Sequence, residues 1–410
     1  MTLEVTPVRQ QVSSEQVADI AAEVSAGLEA LPLRERVQPG MRVAVAVGSR
    51  GIACLTTVVE TVLTALRELE ARPFLVPAMG SHGGGTAEGQ RAVLEGYGFH
   101  PDSTGVPIRS DIEAIQIGVT PEGIRVYFDR HAASADAIIA VNRIKEHTAF
   151  KGRWESGLLK ILAVGLGKAR GAGEIHNQGL PEAMPAVARF ILEKMPVIAG
   201  IGIVENGYHQ PARIVVLAAE RIEAEEPALL ALARQLTPKI PFEPLDLLVV
   251  KEMGKDISGT GMDLNVIGMW RRSGGPVVPR IKTIAVLDLT DNSYGNAIGV
   301  GHADLIAQRL RDKIDRAATE LNCLTSHNLA GGKIPITLAT DREVISAGLT
   351  GIPAEQARVL FIGNTLDLEL MWASTALLPD VAASPALTAT GPGQPLPLTA
   401  SGELDWSALP

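Results

Sequence analysis

Short apolar runs alternate with amphipathic stretches along most of the chain. The apolar runs predict buried strands over 42–47, 73–77, 135–141, 197–204, 245–250 and 281–289. The amphipathic or charged stretches predict helices over 14–31, with Ser14 as N-cap, and over 56–70, 87–96 and 221–236. Strands that alternate with helices in this way are typical of an α/β fold with largely parallel sheets flanked by helices.

Polar residues follow three of the predicted strands directly. Ser49-Arg50 comes after the first strand, Ser81-His82 after the second, and Arg143 to His147 after the third. In open parallel sheets, ligands bind outside the carboxyl ends of the strands. We therefore expect these residues to face one crevice.

The length of the chain predicts two domains, because 410 residues exceed what one hydrophobic core usually organises. A proline-rich stretch over 237–244 marks the boundary. We predict an N-terminal α/β domain over 1–238, a C-terminal α/β domain over 245–378, and an extended tail over 379–410. The active site is expected in the crevice between the two domains.

Composition narrows the class of protein. A net charge of -9 argues against a nucleic-acid binder. Two cysteines, Cys54 and Cys323, cannot build a disulfide framework, which favours a reducing cytoplasm. The N-terminus lacks the pattern of a signal peptide, and no apolar stretch has the length of a membrane span. We expect a cytoplasmic protein without a membrane or nucleic-acid partner.

The segment over 141–179 concentrates residues that could do chemistry. His147 and His176 flank Lys160, which lies among apolar residues in GLLKILAVGLG. A lysine in that setting either extends its amine to solvent or is buried as a neutral amine, the form that attacks acyl carbons. The two histidines do not have the spacing of a helical metal pair, so they are either surface residues or parts of a larger site.

Two glycine-rich stretches are open to more than one interpretation. His82 lies in GSHGGGT, which is either a plain turn or a place where a substrate or phosphate approaches the backbone closely. The stretch from Gly165 to Gly171 is one residue too long for a dinucleotide fingerprint. With Lys168 and Arg170 it is either a phosphate-binding loop or a solvated one.

Five separated motifs between residues 40 and 260 resemble the nickel-dependent lactate racemase family. They occur in the family's order and are Arg50, His82 in GSHGGGT, His147, the run from Ser156-Gly157 through Lys160 to His176, and Gly254-Lys255-Asp256-Ile257. The first two motifs depart from the family pattern: Ser49-Arg50-Gly51 stands for Thr-Arg-Pro, and Ser-His-Gly-Gly-Gly replaces a histidine followed by Arg-Pro. The C-terminal half matches only loosely.

The resemblance implies a nickel-pincer nucleotide, a pyridinium mononucleotide whose two sulfur arms and ring carbon hold nickel. It implies that Lys160 attaches this cofactor covalently and that His176 is the nickel ligand, with Gly84 and Gly85 beside the cofactor. The N-terminal domain would bind the cofactor, and the C-terminal domain would close over the substrate. Enzymes of cofactor biosynthesis are implied partners.

The implied activity is that of a racemase or epimerase of a 2-hydroxy acid. The α-hydrogen leaves as hydride to the cofactor and returns on the opposite face, while a base takes the hydroxyl proton. His82 and His147 are implied as the two bases, and Arg50 and Lys255 as the cations that bind the substrate carboxylate. The departures in the first two motifs leave the choice of 2-hydroxy acid open.

Two other classes of function remain open from the residues themselves. One is a non-catalytic protein that carries the cofactor or binds an organic anion. The other is a hydrolase or lyase with a zinc site built from His82, His147 and His176. Further polar residues at predicted strand ends have either a site role or an ordinary turn role: Asp256, Asp288, Asp291, Asn206, Tyr208 and His209. Trp154 and Trp270 either line the pocket or pack in the core.

Overall fold

A computed structural model describes residues 3–48, 51–80 and 82–409 of the chain. These residues fall into two compact units. The N-terminal unit comprises Ser13–His147 and Lys151–Thr237, and the C-terminal unit comprises Met1–Val12, Thr148–Phe150 and Pro238–Pro410. Both units are α/β, which confirms the predicted fold class.

The strands of the described residues are numbered in chain order. They are β1 Glu4–Gln10, β2 Arg42–Val47, β3 Arg72–Pro77, β4 Ala114–Val119, β5 Arg125–Asp129, β6 Ala137–Arg143, β7 Val197–Glu205, β8 Pro211–Ala218, β9 Leu245–Met253, β10 Ile281–Leu289, β11 Leu305–Ala307, β12 Ile336–Leu338, β13 Val359–Ile362, β14 Leu370–Ser374, β15 Leu387–Ala389 and β16 Gln394–Pro395.

The α-helices are numbered in the same way. They are α1 Ile20–Ala30, α2 Leu33–Arg36, α3 Leu55–Glu68, α4 Ala87–Gly96, α5 Pro101–Thr104, α6 Arg130–Ala133, α7 Leu158–Lys160, α8 Lys168–Gln178, α9 Leu180–Lys194, α10 Ala219–Leu236, α11 Leu264–Ile267, α12 Trp270–Ser273, α13 Gln308–Lys313, α14 Arg316–Thr325, α15 Asp341–Gly348 and α16 Leu378–Ala383. A π-helical turn, Ile161–Gly165, lies between α7 and α8.

The main sheet of the N-terminal unit has the order β3-β2-β6-β7-β8 among the described residues, and only the edge strand β8 is antiparallel. All residues of β2 except Arg42 are buried, because helices cover both faces of a parallel sheet. α3 buries Val58, Val59 and Val62 against this sheet. The carboxyl ends of β3, β2 and β6 therefore lie side by side and hold the loops that begin at Ala78, Gly48 and Ile144.

The sheet of the C-terminal unit has the order β12-β11-β10-β9-β13-β14-β1-β15, with β16 paired to β1, within the part of the chain that the structure describes. The strands from β12 to β13 are parallel, and β14 and β1 continue the sheet antiparallel. The loop that carries Lys255 follows β9 near the middle of this sheet.

Three local features differ from the sequence-based expectations. The first helix begins at Ile20 and not near Ser14, because the side chain of Asp19 accepts a hydrogen bond from Ala22 N and caps it. The predicted N-terminal domain began at residue 1, whereas β1 is a strand of the C-terminal unit.

The predicted extended tail over 379–410 also differs from the structure. Leu396, Leu404 and Leu409 are buried in a core cluster with Val249 and Phe361. Packing of these leucines stabilises the segment as part of the C-terminal unit. Among the helices of the described residues, none combines the length and the apolar character that crossing a bilayer requires.

Candidate active site

The loop after β3 lies against the π-helical turn that follows Lys160. The backbone N–H of Gly80 donates to Gly165 O at 3.0 Å. A Cβ on Gly165 would stand 2.6 Å from Ala78 O, so only glycine allows this approach. Turns of π-helix are rare and occur frequently at functional sites. The segment with His82 and the segment with Lys160 are thus joined through their backbones.

His82 is exposed at the start of a glycine turn with unusual backbone geometry. Gly83, Gly84 and Gly85 all have positive φ, between 65 and 68°. A Cβ on Gly84 or Gly85 would meet no atom of the described residues within 4 Å, apart from its chain neighbours. This turn leaves open space beside its backbone, which a bound group can approach.

The turn is anchored on both sides. The backbone N–H of His82 donates to Met79 O at 3.1 Å. Thr86 caps α4 by accepting from Gly89 N at 3.0 Å. These hydrogen bonds anchor the backbone of His82 and of Thr86 within the connection from β3 to α4.

His147 lies in a loop that buried carboxylates brace. The backbone N–H of His147 donates to Glu155 Oε2 at 2.6 Å, and Glu155 Oε1 accepts from Arg234 Nη2 at 2.5 Å. Glu155 is 1% exposed. A second buried carboxylate, Glu146, pairs with Lys151. These charged groups fix the backbone of His147 on the N-terminal unit, and the side chain of His147 is half-buried.

Lys160 ends a short helix whose first turn is capped by a distant side chain. Glu226 Oε2 accepts from Leu158 N at 2.6 Å and from Leu159 N at 3.0 Å. A Cβ on Gly157 would stand 2.5 Å from Glu226 Oε1, which explains the glycine of the Ser-Gly-Leu-Leu-Lys motif. Glu226 is buried, and burial raises its pKa to about 7 against the opposing effect of these two hydrogen bonds. Lys160 itself is half-buried.

The expectation of a phosphate-binding or solvated loop at Lys168 is wrong. Lys168 is completely buried and its Nζ lies 3.0 Å from Asp129 Oδ2. The guanidinium of Arg170 lies over the ring of Tyr127, 4.4 Å from its centroid. Burial lowers the pKa of Lys168, and the charge of Asp129 opposes this effect. The glycines of this stretch serve close helix packing, as at Gly165.

His176 lies in the last turn of α8 and is half-buried. Its neighbour Ile175 is buried. His82, His147, Lys160 and His176 thus all belong to the N-terminal unit, on segments that follow β3 and β6. Arg50 lies outside the described residues.

Lys255 belongs to the C-terminal unit. Its Nζ donates to Gly259 O and to Asn322 Oδ1, each at 2.9 Å, and its backbone N–H donates to Ser293 Oγ. The adjacent Asp256 accepts from Thr290 Oγ1 at 2.6 Å. These contacts order the loop after β9 around the amine.

Several of the polar residues at the predicted strand ends, and one tryptophan, have structural contacts. Lys313 Nζ lies 3.0 Å from Asp288 Oδ1 and 3.2 Å from Asp291 Oδ1. Asn206 Oδ1 accepts from the backbone of Tyr208 at 2.9 Å and so forms a turn. The indole of Trp154 donates to Glu223 O at 2.9 Å. These contacts account for the aspartates, the asparagine and the tryptophan without a ligand.

The described residues contain no group of three or more His, Cys, Asp or Glu side chains arranged to hold a metal ion. His82, His147 and His176 are all described, so a zinc site built from them has no support in this geometry.

Sequence reasoning missed the residues that support the site. Glu226 is one of several glutamates in a charged helix. The two N–H groups that it caps belong to Leu158 and Leu159, which precede it by 68 and 67 positions in the chain. Glu155 and Arg234 are separated by 79 positions. No local pattern distinguishes these residues from solvated charges.

Comparison with known proteins finds a match to one family model. Residues 3–182 match the model of the lactate racemase N-terminal domain. Among solved structures, the chain is similar to the lactate racemase apoprotein from Thermoanaerobacterium thermosaccharolyticum, with 13% identity and a TM-score of 0.49 over 84% of this chain and 90% of that one. No curated protein matches the chain.

Proposed function

We propose that this chain, whose residues 3–182 match the lactate racemase N-terminal domain, is a nickel-pincer nucleotide-dependent racemase or epimerase of a 2-hydroxy acid. The observation that carries the proposal is the hydrogen bond from Gly80 N to Gly165 O, at 3.0 Å. It joins the turn that bears His82 to the helical segment that bears Lys160 and leads to His176.

The residues of this unit fit the cofactor. An amine at the end of a capped helix, the side chain of Lys160, would attach it covalently. His176 would supply an imidazole to nickel, for which imidazole is a suitable ligand. The open space beside Gly84 and Gly85 would admit the nucleotide to the backbone. When bound, the nickel-pincer nucleotide supplies hydride acceptance and return at the substrate α-carbon.

The chain's own residues would handle the proton and the carboxylate. Imidazole is the side chain best suited to take or return a proton in this kind of reaction, so His82 and His147 are the proposed bases for the hydroxyl proton. One base for each hand of the substrate explains why two are needed. Arg50 and Lys255 remain the proposed cations for the substrate carboxylate, on the resemblance of their motifs.

The activity test uses enantiopure 2-hydroxy acids with deuterium at the α-carbon and protein produced together with the enzymes of cofactor biosynthesis. We expect at least one acid of a structurally varied panel to be inverted with its deuterium retained. Inversion with solvent hydrogen at the α-carbon would contradict hydride chemistry. Binding without inversion of any acid would favour a non-catalytic binding protein.

The base assignment is tested with His82→Gln and His147→Gln. Loss of a general base typically lowers the rate by about 10²–10⁴-fold. His100→Gln is the matched control, because His100 is an exposed histidine of the same unit. Full activity of both His82→Gln and His147→Gln on the true substrate would show that the two-base assignment is wrong.

A further inference from the structure

Lys168 has a backbone conformation that its surroundings must enforce. It begins α8, three positions after the end of the π-helical turn, and has a φ of 54°. Residues other than glycine, asparagine and aspartate rarely adopt this left-handed region, because their Cβ approaches the carbonyl oxygen. Such strain persists where other contacts determine the position of the residue.

Three acceptors determine the position of the Lys168 amine. Nζ donates to Pro77 O at 2.6 Å and to Gln90 Oε1 at 3.1 Å, and it lies 3.0 Å from Asp129 Oδ2. The acceptors come from β3, α4 and β5. Lys168 is 0% exposed, so the amine has exchanged water for these partners.

Asp129 has a second set of contacts that fixes it in turn. Its Oδ1 accepts from the backbone N–H groups of His131 and Ala132, each at 2.8 Å, and so caps α6. Its other oxygen, Oδ2, is the one that pairs with Lys168. The carboxylate is 0% exposed, and the ammonium is the group that compensates its charge.

Gln90 connects Lys168 to the turn that bears His82. Its Nε2 donates to Gly80 O at 2.8 Å and to His82 O at 3.3 Å. Because Lys168 has only donors, it can bind only the oxygen of the Gln90 amide. The amide nitrogen is thereby directed at the two loop carbonyls. Gln90 is 0% exposed.

We propose that Lys168 and Gln90 are positioning residues that hold the backbone of His82 in place against the helical segment of Lys160 and His176. The Lys168 amine orients the Gln90 amide, and the amide nitrogen donates to the carbonyl oxygens of Gly80 and His82. The proposal rests on the proposed function, in which His82 is a base. It assigns no contact with substrate to Lys168 or Gln90.

The test is the variant Gln90→Met, which has a similar volume but cannot donate to Gly80 O and His82 O. Hydrogen–deuterium exchange of a peptide over 79–86 is measured on the apoprotein. We expect exchange at least tenfold faster than in the wild type. Gln10→Met is the matched control, because Gln10 is a buried glutamine of the other unit whose Nε2 donates to Leu368 O.

The second readout is the loaded enzyme. We expect Gln90→Met to take up the cofactor, as intact mass shows, and to lose at least tenfold in kcat with KM changed little. A shift of the pH dependence of kcat should accompany this loss. If Gln90→Met does not fold, the double variant Lys168→Met/Asp129→Asn replaces it, since asparagine keeps an oxygen to cap α6. We expect the same faster exchange over 79–86.

The outcomes separate the proposal from the function on which it rests. Unchanged exchange over 79–86 in a folded variant would show that Gln90 does not hold this segment in place. Faster exchange with wild-type kcat, in an enzyme that His82→Gln inactivates, would overturn the positioning role. Full activity of His82→Gln would instead show that His82 is not a base. The positioning role of Lys168 and Gln90 in catalysis would then be wrong, whatever the exchange result.

Discussion

Glu226 accepts a hydrogen bond at 2.6 Å from the backbone N–H of Leu158, so that a side chain of α10 caps a helix 68 residues earlier in the chain. Most helix N-caps come from the residue directly before the helix. Here that residue is Gly157, which has no side chain, and the distant carboxylate replaces it. The cap lies one turn from Lys160.

The burial of Glu226 makes the stability of the N-terminal unit depend on pH. Burial raises the pKa of Glu226 to about 7, whereas a glutamate in the unfolded chain has a pKa of about 4.3. Between these values the folded protein holds a proton that the unfolded chain has released. This contribution to the free energy of unfolding therefore falls as pH rises through that window, by at most about 4 kcal/mol.

The variant Glu226→Gln cannot ionise, so we expect it to lack this dependence. Urea unfolding of the wild type and the variant at pH 4.5 and 7.5 measures the difference. Glu225→Gln is the control, because Glu225 forms an exposed i,i+4 pair with Arg221 on the same helix. The same pH dependence in Glu226→Gln and the wild type would show that Glu226 does not titrate in this range.

Gly157 is required by the Glu226 cap, and two glycine substitutions test this. Gly157→Ala places a Cβ 2.5 Å from Glu226 Oε1, and we expect it to destabilise the protein by about 1–3 kcal/mol. Gly173→Ala is the control, because a Cβ there meets no described atom within 4 Å inside α8. We expect that control to stabilise by about 0.5–1 kcal/mol, as alanine favours helix. Thermal unfolding that ranks the two variants the other way would refute the steric explanation.

The C-terminal unit contains a histidine that should make it sensitive to acid. His302 is 2% exposed, and neither ring nitrogen has a hydrogen-bond partner within the described residues. Burial and then the charge of Arg272 lower its pKa to about 4, from about 6.5 in the unfolded chain. The unfolded chain therefore binds a proton first, and the free energy of unfolding falls as pH falls from about 6.5 to about 4.

This dependence has the opposite sign to that of Glu226, so the two can be separated by variants. We expect His302→Leu to be as stable as the wild type or more stable at pH 7, and to lose less stability at pH 5. Hydrogen exchange of peptides from the C-terminal unit, at pH 7 and at pH 5, measures this difference in stability. His100→Gln is the control, because His100 is exposed. Equal acid sensitivity of His302→Leu and the wild type would mean that another group titrates.

Arg234 braces the loop of His147 through Glu155. Removing the guanidinium in Arg234→Met leaves a carboxylate that is 1% exposed without its partner at 2.5 Å, and we expect a loss of about 1.5–3 kcal/mol. Arg221→Met is the control, since Arg221 is exposed on the same helix. Equal stability of the two variants in urea would show that the brace contributes nothing.

Elements with a strong local pattern could be predicted from the sequence. The strands Arg42–Val47 and Ile281–Leu289 and the helix Ala87–Gly96 have the predicted bounds. Their periodicity and flanking glycines are local signals, and local signals suffice where burial follows from a single run. The order of the lactate racemase motifs is likewise visible in the chain itself.

Long-range pairing could not be predicted in the same way. β1 pairs with β14 and β15 near the other end of the chain, and a single strand carries no signal of its partners. Lys168 has the pattern of a solvated lysine, since the sequence does not show that Asp129 lies beside it. The supports of the site depend on such contacts between distant residues.

The most direct test of the central claim is the intact mass and nickel content of protein produced together with the enzymes of cofactor biosynthesis. We predict one covalent adduct with about one nickel per chain, lost in Lys160→Arg and kept in Lys151→Arg, whose exposed lysine pairs with Glu146. Unmodified wild-type protein that carries stoichiometric zinc, or an adduct that persists in Lys160→Arg, would contradict the account.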